Sequence, residues 1–435
     1  MAVLERSAGV FHWTPEGKRL FDYTSGVLVA NLGHNPTAWL ARFRELLGWE
    51  RPITRDGPTG FTPAVAMTAY NAITPLEARA TSKLLDFVRA RPGGSRYEQV
   101  LWAASGSEAI QKALWACLAF DKSRPIILAT RHGFHGKKGL ALAITGTEHD
   151  AERDPRVKFV SFPMHECGDV SDRDRPFDPS GIRAELAALW HSYGAKIGTL
   201  VTEPYLGGGG SYHPPAAYLQ ELQRFCRERD VTFILDEVQS NFGRTNSMFA
   251  SEAYGIEPDL AVLGKGLGNG VPVAAIVGRR DILMSLGYGE ASDTWSANPI
   301  SSAAVLATLE AFEERDHLAP MHRRSRRLEA GLIELKCYPM IAAVRGERDG
   351  MVWGIEFRDW QGHAAKLWAN AFVRAAYDGE GEAADGVHLL GPLAGKVVRI
   401  APPIVIDDGE IDAAQSILDR AAASLTRSPA LPEVG

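Results

Sequence analysis

Cysteine is scarce in this chain: four in 435 residues, Cys117, Cys167, Cys226 and Cys337, scattered and never at metal-ligand spacing. That scatter leaves no basis for a disulfide framework or a cysteine metal site, and it suits small buried side chains in a reducing compartment. No run of about eighteen apolar residues occurs, so no membrane-spanning helix is expected. The opening MAVLERSAGVFHW has no apolar core of signal-peptide length. Long basic runs are missing too, and both signs of charge mix along a chain of net charge -6. A nucleic acid or a membrane surface is therefore not the expected partner. No internal repeat is present. The expectation is a soluble protein of the cytoplasm.

What is present is an ordinary globular composition, 45% hydrophobic and 23% charged, long enough for two or three domains with a sizeable core. Seven apolar runs read as strands: Gln99 to Ala103, Ile126 to Thr130, Val157 to Phe162, Ile197 to Thr202, Val231 to Leu235, Leu260 to Leu263 and Val273 to Val277. Runs apolar on both faces and separated by helical patterns predict an α/β fold with a mostly parallel sheet covered on both sides. Ala109, Ala113, Leu114, Cys117 and Leu118 mark one covering helix, and Tyr218, Leu219, Leu222, Phe225 and Cys226 another. After Ser301 the pattern turns to long helices, Ala304 to Glu314 and Met321 to Leu335. A smaller α+β portion follows, with strands expected in Gly350 to Phe357 and Lys396 to Ile400. A mobile loop is expected over Gly379 to Gly386, a closing helix over Asp408 to Leu425, and a frayed tail over residues 428–435.

The stretch Val231 to Pro272 carries the chemistry. One strand-like run ends at an acid, Asp236, and the next at a lysine, Lys265, set between Gly264 and Gly266. In open α/β sheets ligands sit beyond the carboxyl ends of strands, so both side chains are placed at one crevice. An amine there can form a Schiff base with a carbonyl cofactor, and the acid can keep that cofactor's ring nitrogen protonated. The plainer alternatives are a capping or turn acid and a solvated lysine. Glycine on both sides of Lys265 lets the backbone approach a bound group closely. A phosphate-loop reading fails, because Gly266 rather than Ser or Thr follows the lysine and the leading glycine is missing. Ser105-Gly106-Ser107 precedes a helical pattern, where free amide groups and the positive dipole end suit a phosphate; simple N-capping by serine is the alternative.

DEVQSNFGRT followed by LGKGLGNGVPVAAI resembles the signature of the class III (ornithine, GABA and ω-type) aminotransferases, pyridoxal-phosphate enzymes of fold type I. GKRLFDYTSGVLVANLGHNP, ASGSEAIQKAL, HGFHG, TEPYLGGGG, DTWSANP and VVRIAPPIVI match the same family in order, and together they span nearly the whole chain. The resemblance implies a large cofactor domain over residues 51–304. It also implies that an N-terminal segment, 1–50, joins a C-terminal small domain, 305–435. It makes Lys265 the Schiff-base lysine and general base, and Asp236 the partner of the pyridine nitrogen. Ser105, Gly106 and Ser107 hold the phosphate. Phe134 and Val238 lie on the two ring faces, and Gln239 reaches the phenolic oxygen. Glu203 is a structural or orienting acid. Thr294 reaches the phosphate of a second subunit, which implies a homodimer or a dimer of dimers with shared sites.

For substrates, Arg399 matches an arginine that grips a carboxylate, a task suited to its planar guanidinium. Where part of the family places a glutamate that covers this arginine, the chain has Gly208. Val27, Leu28 and Val29 stand where relatives carry an aromatic residue, so an aliphatic pocket wall containing Leu28 is expected. The resemblance implies a transaminase that moves an amino group from an amine or amino acid to pyruvate or 2-oxoglutarate. A decarboxylase or aminomutase of the same family is the second reading, and a noncatalytic binder of a phosphorylated ligand the third. No metal is expected.

Overall fold

The computed structural model describes residues 2–50, 64–70, 72–381 and 384–427. Three short strands open the chain: β1 (Arg6–Ala8), β2 (Phe11–Trp13) and β3 (Arg19–Asp22). Seven follow: β4 (Gln99–Ala103), β5 (Ile126–Thr130), β6 (Val157–Val160), β7 (Ile197–Thr202), β8 (Thr232–Asp236), β9 (Leu260–Leu263) and β10 (Ala274–Gly278). Four come last: β11 (Ile341–Gly346), β12 (Trp353–Phe357), β13 (Gly386–His388) and β14 (Val397–Ile400).

The middle seven strands form one sheet in the order β4-β10-β9-β8-β7-β5-β6. The pairings from β9 through β6 are parallel, while β10 runs against both of its neighbours. The mostly parallel α/β sheet expected from the apolar runs is thus present. Its strands are apolar at nearly every position because successive side chains leave a strand on opposite faces and both faces are covered. Ile127, Ala129, Ile234 and Val262 pack beneath the helix Gly106–Phe120. Their neighbours Leu128, Leu200, Phe233 and Leu235 pack on the other side against the helices Ser180–Tyr193 and Ala216–Glu228. Each of these side chains larger than alanine, fully buried, contributes about 1.5–3 kcal/mol.

The two ends of the chain meet. β13 joins β3 in parallel, with Gly386 opposite Leu20, so the four-stranded sheet β1-β2-β3-β13 contains both termini's segments. β11, β12 and β14 form a third sheet. The helix expected from Ala304 starts earlier, at Pro299, where the Asn298 side chain accepts a hydrogen bond from the Ser301 amide at 2.9 Å. Proline at the first helical position is pre-set for that turn, and Ser301, Ser302, Ala303 and Ala304 are all buried, so no amphipathic stripe announces the start. The closing helix runs Asp408–Arg427. The expected tail, the expected boundary at residue 51 and positions 382 and 383 of the expected loop lie outside the described residues. No helix among the described residues is long and apolar enough to cross a membrane. The four cysteines are free; Cys117, Cys167 and Cys226 are buried and Cys337 is exposed.

Candidate active site

The carboxyl ends of the parallel strands converge on one cavity of about 380 Å³, within the range of small-molecule sites. The turn after β4 supplies Ser105, Gly106 and Ser107, and the loop after β5 supplies Phe134 and His135. β8 delivers Asp236 and, just beyond it, Val238 and Gln239. Lys265 follows β9, and Val29 and residues 270–273 complete the wall. The β8–β9 register sets Asp236 opposite Val262, which puts the acid and the lysine at the same edge of the sheet.

Lys265 occupies a left-handed backbone position, φ 47°, a conformation that costs about 1–3 kcal/mol outside glycine. Burial, reinforced by the positive charges of Arg399 and Arg244, lowers its pKa to about 8 against the opposing pull of Asp236 and Glu203. Packing within the chain also bears on the flanking glycines. A Cβ on Gly266 would lie 2.5 Å from the Asn31 side chain, and one on Gly264 3.3 Å from Val238. At Gly266 packing of protein against protein already calls for glycine, while at Gly264 the contact is tight but not prohibitive.

Asp236 is 4% exposed. Its Oδ2 lies 2.8 Å from His135 Nδ1, and its Oδ1 accepts a hydrogen bond from the Val238 amide at 3.1 Å. Burial works to lower the pKa of His135, but its hydrogen bond to Asp236 and the charges of Asp236 and Glu203 outweigh it and leave the imidazole above its ordinary value. Glu203 accepts from the Phe134 amide at 2.8 Å and from Gln239 Nε2 at 3.0 Å. Its burial pushes its pKa up to about 7. His135 escaped the sequence reading. The only signal was its place next to Phe134 in HGFHG, behind a strand; its partner comes from a strand two places away in the sheet.

At the corner where a phosphate is expected, Ser105 caps the helix Gly106–Phe120, accepting from the Glu108 amide at 3.3 Å, and its carbonyl accepts from Ala109. The Gly106 and Ser107 amides meet no acceptor among the described residues and remain as donors of that first turn. Gly136, at φ 153°, presses on Ser107 so closely that a Cβ there would stand 2.5 Å from the hydroxyl. Phe134, 40% exposed, and Val238 both line the cavity. Gln239 keeps a buried Oε1 without a partner among the described residues.

Three expected residues lie elsewhere. Leu28 is not in the wall but buried with Tyr205, Val352 and Ala401; the wall residue is Val29. Four consecutive positions explain the shift: Ser25, Gly26, Val27 and Leu28 take φ of 49°, 59°, 65° and 64°, a left-handed turn that rotates which side chain faces inward. Thr294 is exposed, outside this cavity, beside Asp293, which accepts from Lys112 Nζ at 2.6 Å. Arg399 is buried and is not part of the cavity lining. Its Nη2 donates to the Gly207 carbonyl at 2.7 Å, its Nε has no partner among the described residues, and burial lowers its pKa.

Known proteins share this arrangement of elements. An acetylornithine aminotransferase of Methanothermobacter thermautotrophicus is 29% identical over 430 residues, 97% of this chain and 94% of that protein. A 5-aminovalerate aminotransferase of Pseudomonas aeruginosa is 28% identical over 424 residues, 96% of this chain and 92% of the relative. An ω-transaminase of Pseudomonas jessenii, solved in complex with PMP, has the same fold with a TM-score of 0.81 at 21% identity, covering 98% of this chain and 93% of that one. The family described as aminotransferase class-III matches residues 61–422. The chain belongs to the class-III aminotransferases, whose cofactor is pyridoxal phosphate.

Proposed function

We propose that this enzyme carries an amino group from an amine or amino acid donor to a keto acid, pyruvate or 2-oxoglutarate, with Lys265 as the reacting amine. The observation that carries the reading is the single cavity in which Lys265, the Asp236–His135 pair and the N-terminus of the helix Gly106–Phe120 converge. The donor set fits pyridoxal phosphate: free Gly106 and Ser107 amides for a phosphate, a buried carboxylate for a ring nitrogen, and an unpartnered buried Gln239 oxygen beside them. When bound, the cofactor supplies a carbonyl for the lysine and an electron-withdrawing ring. Asp236 would hold a proton at the ring nitrogen, with His135, 2.8 Å from its Oδ2, fixing the orientation of the carboxylate. Phe134 and Val238, which both line the cavity, would offer the ring apolar contact. Lys265, with its pKa near 8, is available as the free amine to take a proton from the substrate carbon and return it.

Arg399 is the group we assign to a substrate carboxylate: although outside the cavity wall, it is near enough for its charge to act on Lys265, no carboxylate of this chain pairs with it among the described residues, and its neighbour Gly207 offers only a carbonyl. Val29 and Val271 give the donor an aliphatic surface. Thr294, exposed and away from its own cavity, fits a contribution to the phosphate corner of a second copy, so the proposed working unit is a homodimer. Three buried free cysteines accord with a cytoplasmic home.

The test is optical. Purified protein supplied with pyridoxal phosphate is expected to be yellow, and an amine donor given without acceptor is expected to bleach it until a keto acid restores the colour. Bleaching accompanied by carbon dioxide release would move the assignment to a decarboxylase. No colour after incubation with the cofactor would defeat the reading.

A further inference from the structure

We propose that His12, Asp22 and His34 form a binding site for one divalent transition-metal ion, with zinc the best match. The three residues come from β2, the end of β3 and the loop that follows the left-handed turn, well outside the cavity that holds Lys265. The Nε2 atoms of His12 and His34 lie 3.4 Å and 2.7 Å from the same oxygen, Oδ2 of Asp22, and the three ligand atoms fall within 4.8 Å of one another. Two imidazoles and a carboxylate suit zinc with one position open. Bonds of about 2.0–2.1 Å in tetrahedral geometry need donor atoms about 3.3 Å apart. The His12 pair already meets that spacing, and the His34 pair must open by about 0.6 Å. His34 can supply this, since its ring keeps an 18% exposed edge, which is also a route for the ion.

The second layer is in place. Ser7 Oγ lies 2.7 Å from His12 Nδ1, the nitrogen opposite the proposed ligand atom. The other Asp22 oxygen accepts from the Thr24 amide at 2.8 Å, the Thr24 hydroxyl at 2.7 Å and the Ser25 amide at 3.1 Å. Such partners orient ligands and hold their tautomers. Here two ring nitrogens aim at one oxygen, and a third ring, His388, stands 3.9 Å from Asp22 Oδ1 with its Nδ1 buried and unpartnered among the described residues. An ion at this point would tie β2, β3 and residue 34 together beneath the turn that carries Val29 to the cavity wall.

Chelator-treated, dialysed holoenzyme titrated with cobalt(II), then with zinc, reads the site directly. The expected result is one cobalt per chain with a ligand-field absorption band, displaced by one equivalent of zinc, and a zinc-dependent rise in the unfolding temperature. His12→Gln and His34→Gln should each weaken the metal by at least about tenfold, and Ser7→Ala, which removes no ligand, by about tenfold. The cofactor's own colour, retained in each variant, reports an intact cleft, and Ser7→Ala keeps the test decisive if a histidine variant does not fold. Absence of stoichiometric cobalt or zinc in the wild type, or unchanged affinity in the variants that fold, overturns the proposal.

Discussion

The floor of the cleft and the side occupied by the arginines are built differently. On the floor the acids are satisfied within the chain: Asp236 by His135 and the Val238 amide, Glu203 by the Phe134 amide and Gln239. On the other side Arg399 and Arg244 are buried with donors to spare. Arg244 gives its Nε to Asn31 at 2.8 Å and its Nη1 to the Pro402 carbonyl at 2.6 Å, yet its Nη2, like Arg399 Nε, meets no acceptor among the described residues. A buried unpaired donor costs about 1–3 kcal/mol, so this side carries a penalty that the floor does not; under the proposed function a substrate carboxylate reaching Arg399 would relieve part of it.

Breaking the floor should have the largest effects. Lys265→Ala is expected to lower the single-turnover rate about 10^4-fold, at the upper end for loss of a general base, and to abolish borohydride trapping of the cofactor. Asp236→Asn should cost about 10^2- to 10^3-fold in kcat with the fold retained, as for removal of one fixed electrostatic group. A value near wild type would mean that the floor is not organised around the ring nitrogen. Breaking the other side should act on recognition instead. Arg399→Ala is expected to raise KM for the keto acid about 10- to 100-fold, the worth of hydrogen bonds to a charged group, while donors without a carboxylate are spared. Equal loss for both substrate types would erase the distinction between the two sides.

Smaller effects sharpen it further. Gly136→Ala should weaken cofactor affinity about tenfold by pushing Ser107 off its place, visible as a shifted titration of the yellow form; 1–3 kcal/mol of strain is available at such a position. The smallest is a pH effect on cofactor-free protein. Lys265 has a folded pKa of about 8 and an ordinary value of 10.5, so the unfolded chain binds the extra proton between those values. Stability from this group therefore rises with pH across that window. Lys265→Met should be more stable than wild type below pH 8, and the advantage should fade toward pH 10.5 in denaturant titrations.

The central sheet was legible because strands covered on both faces write continuous apolar runs, and Asp236 and Lys265 stand out where such runs stop. His135 was not, because its role depends on Asp236 reaching it from β8 past β7, a tertiary neighbourhood with no local signature. Which of Val27, Leu28 and Val29 faces the cavity was not legible, because nothing in TSGVLV announces four left-handed residues in a row; Gly26 alone favours that conformation. The early start of the helix Pro299–Glu314 was visible in Asn298-Pro299, a cap followed by a helix-ready proline, and was obscured by the lack of periodicity in a segment buried all round. The joining of β13 to β3 spans most of the chain and leaves no sequence trace.

β10 reverses direction beside β9, so the chain leaving Leu263 doubles straight back to Ala274 instead of crossing the sheet through a helix. Lys265, Gly270, Val271, Pro272 and Val273 all border the cavity from that one return. Under the proposed function, reactivity and part of the selectivity would then be carried on a single cassette: grafting residues 264–273 from a relative would move the lysine and this stretch of cavity wall in one step, whereas shuffling at any point inside it would separate the two.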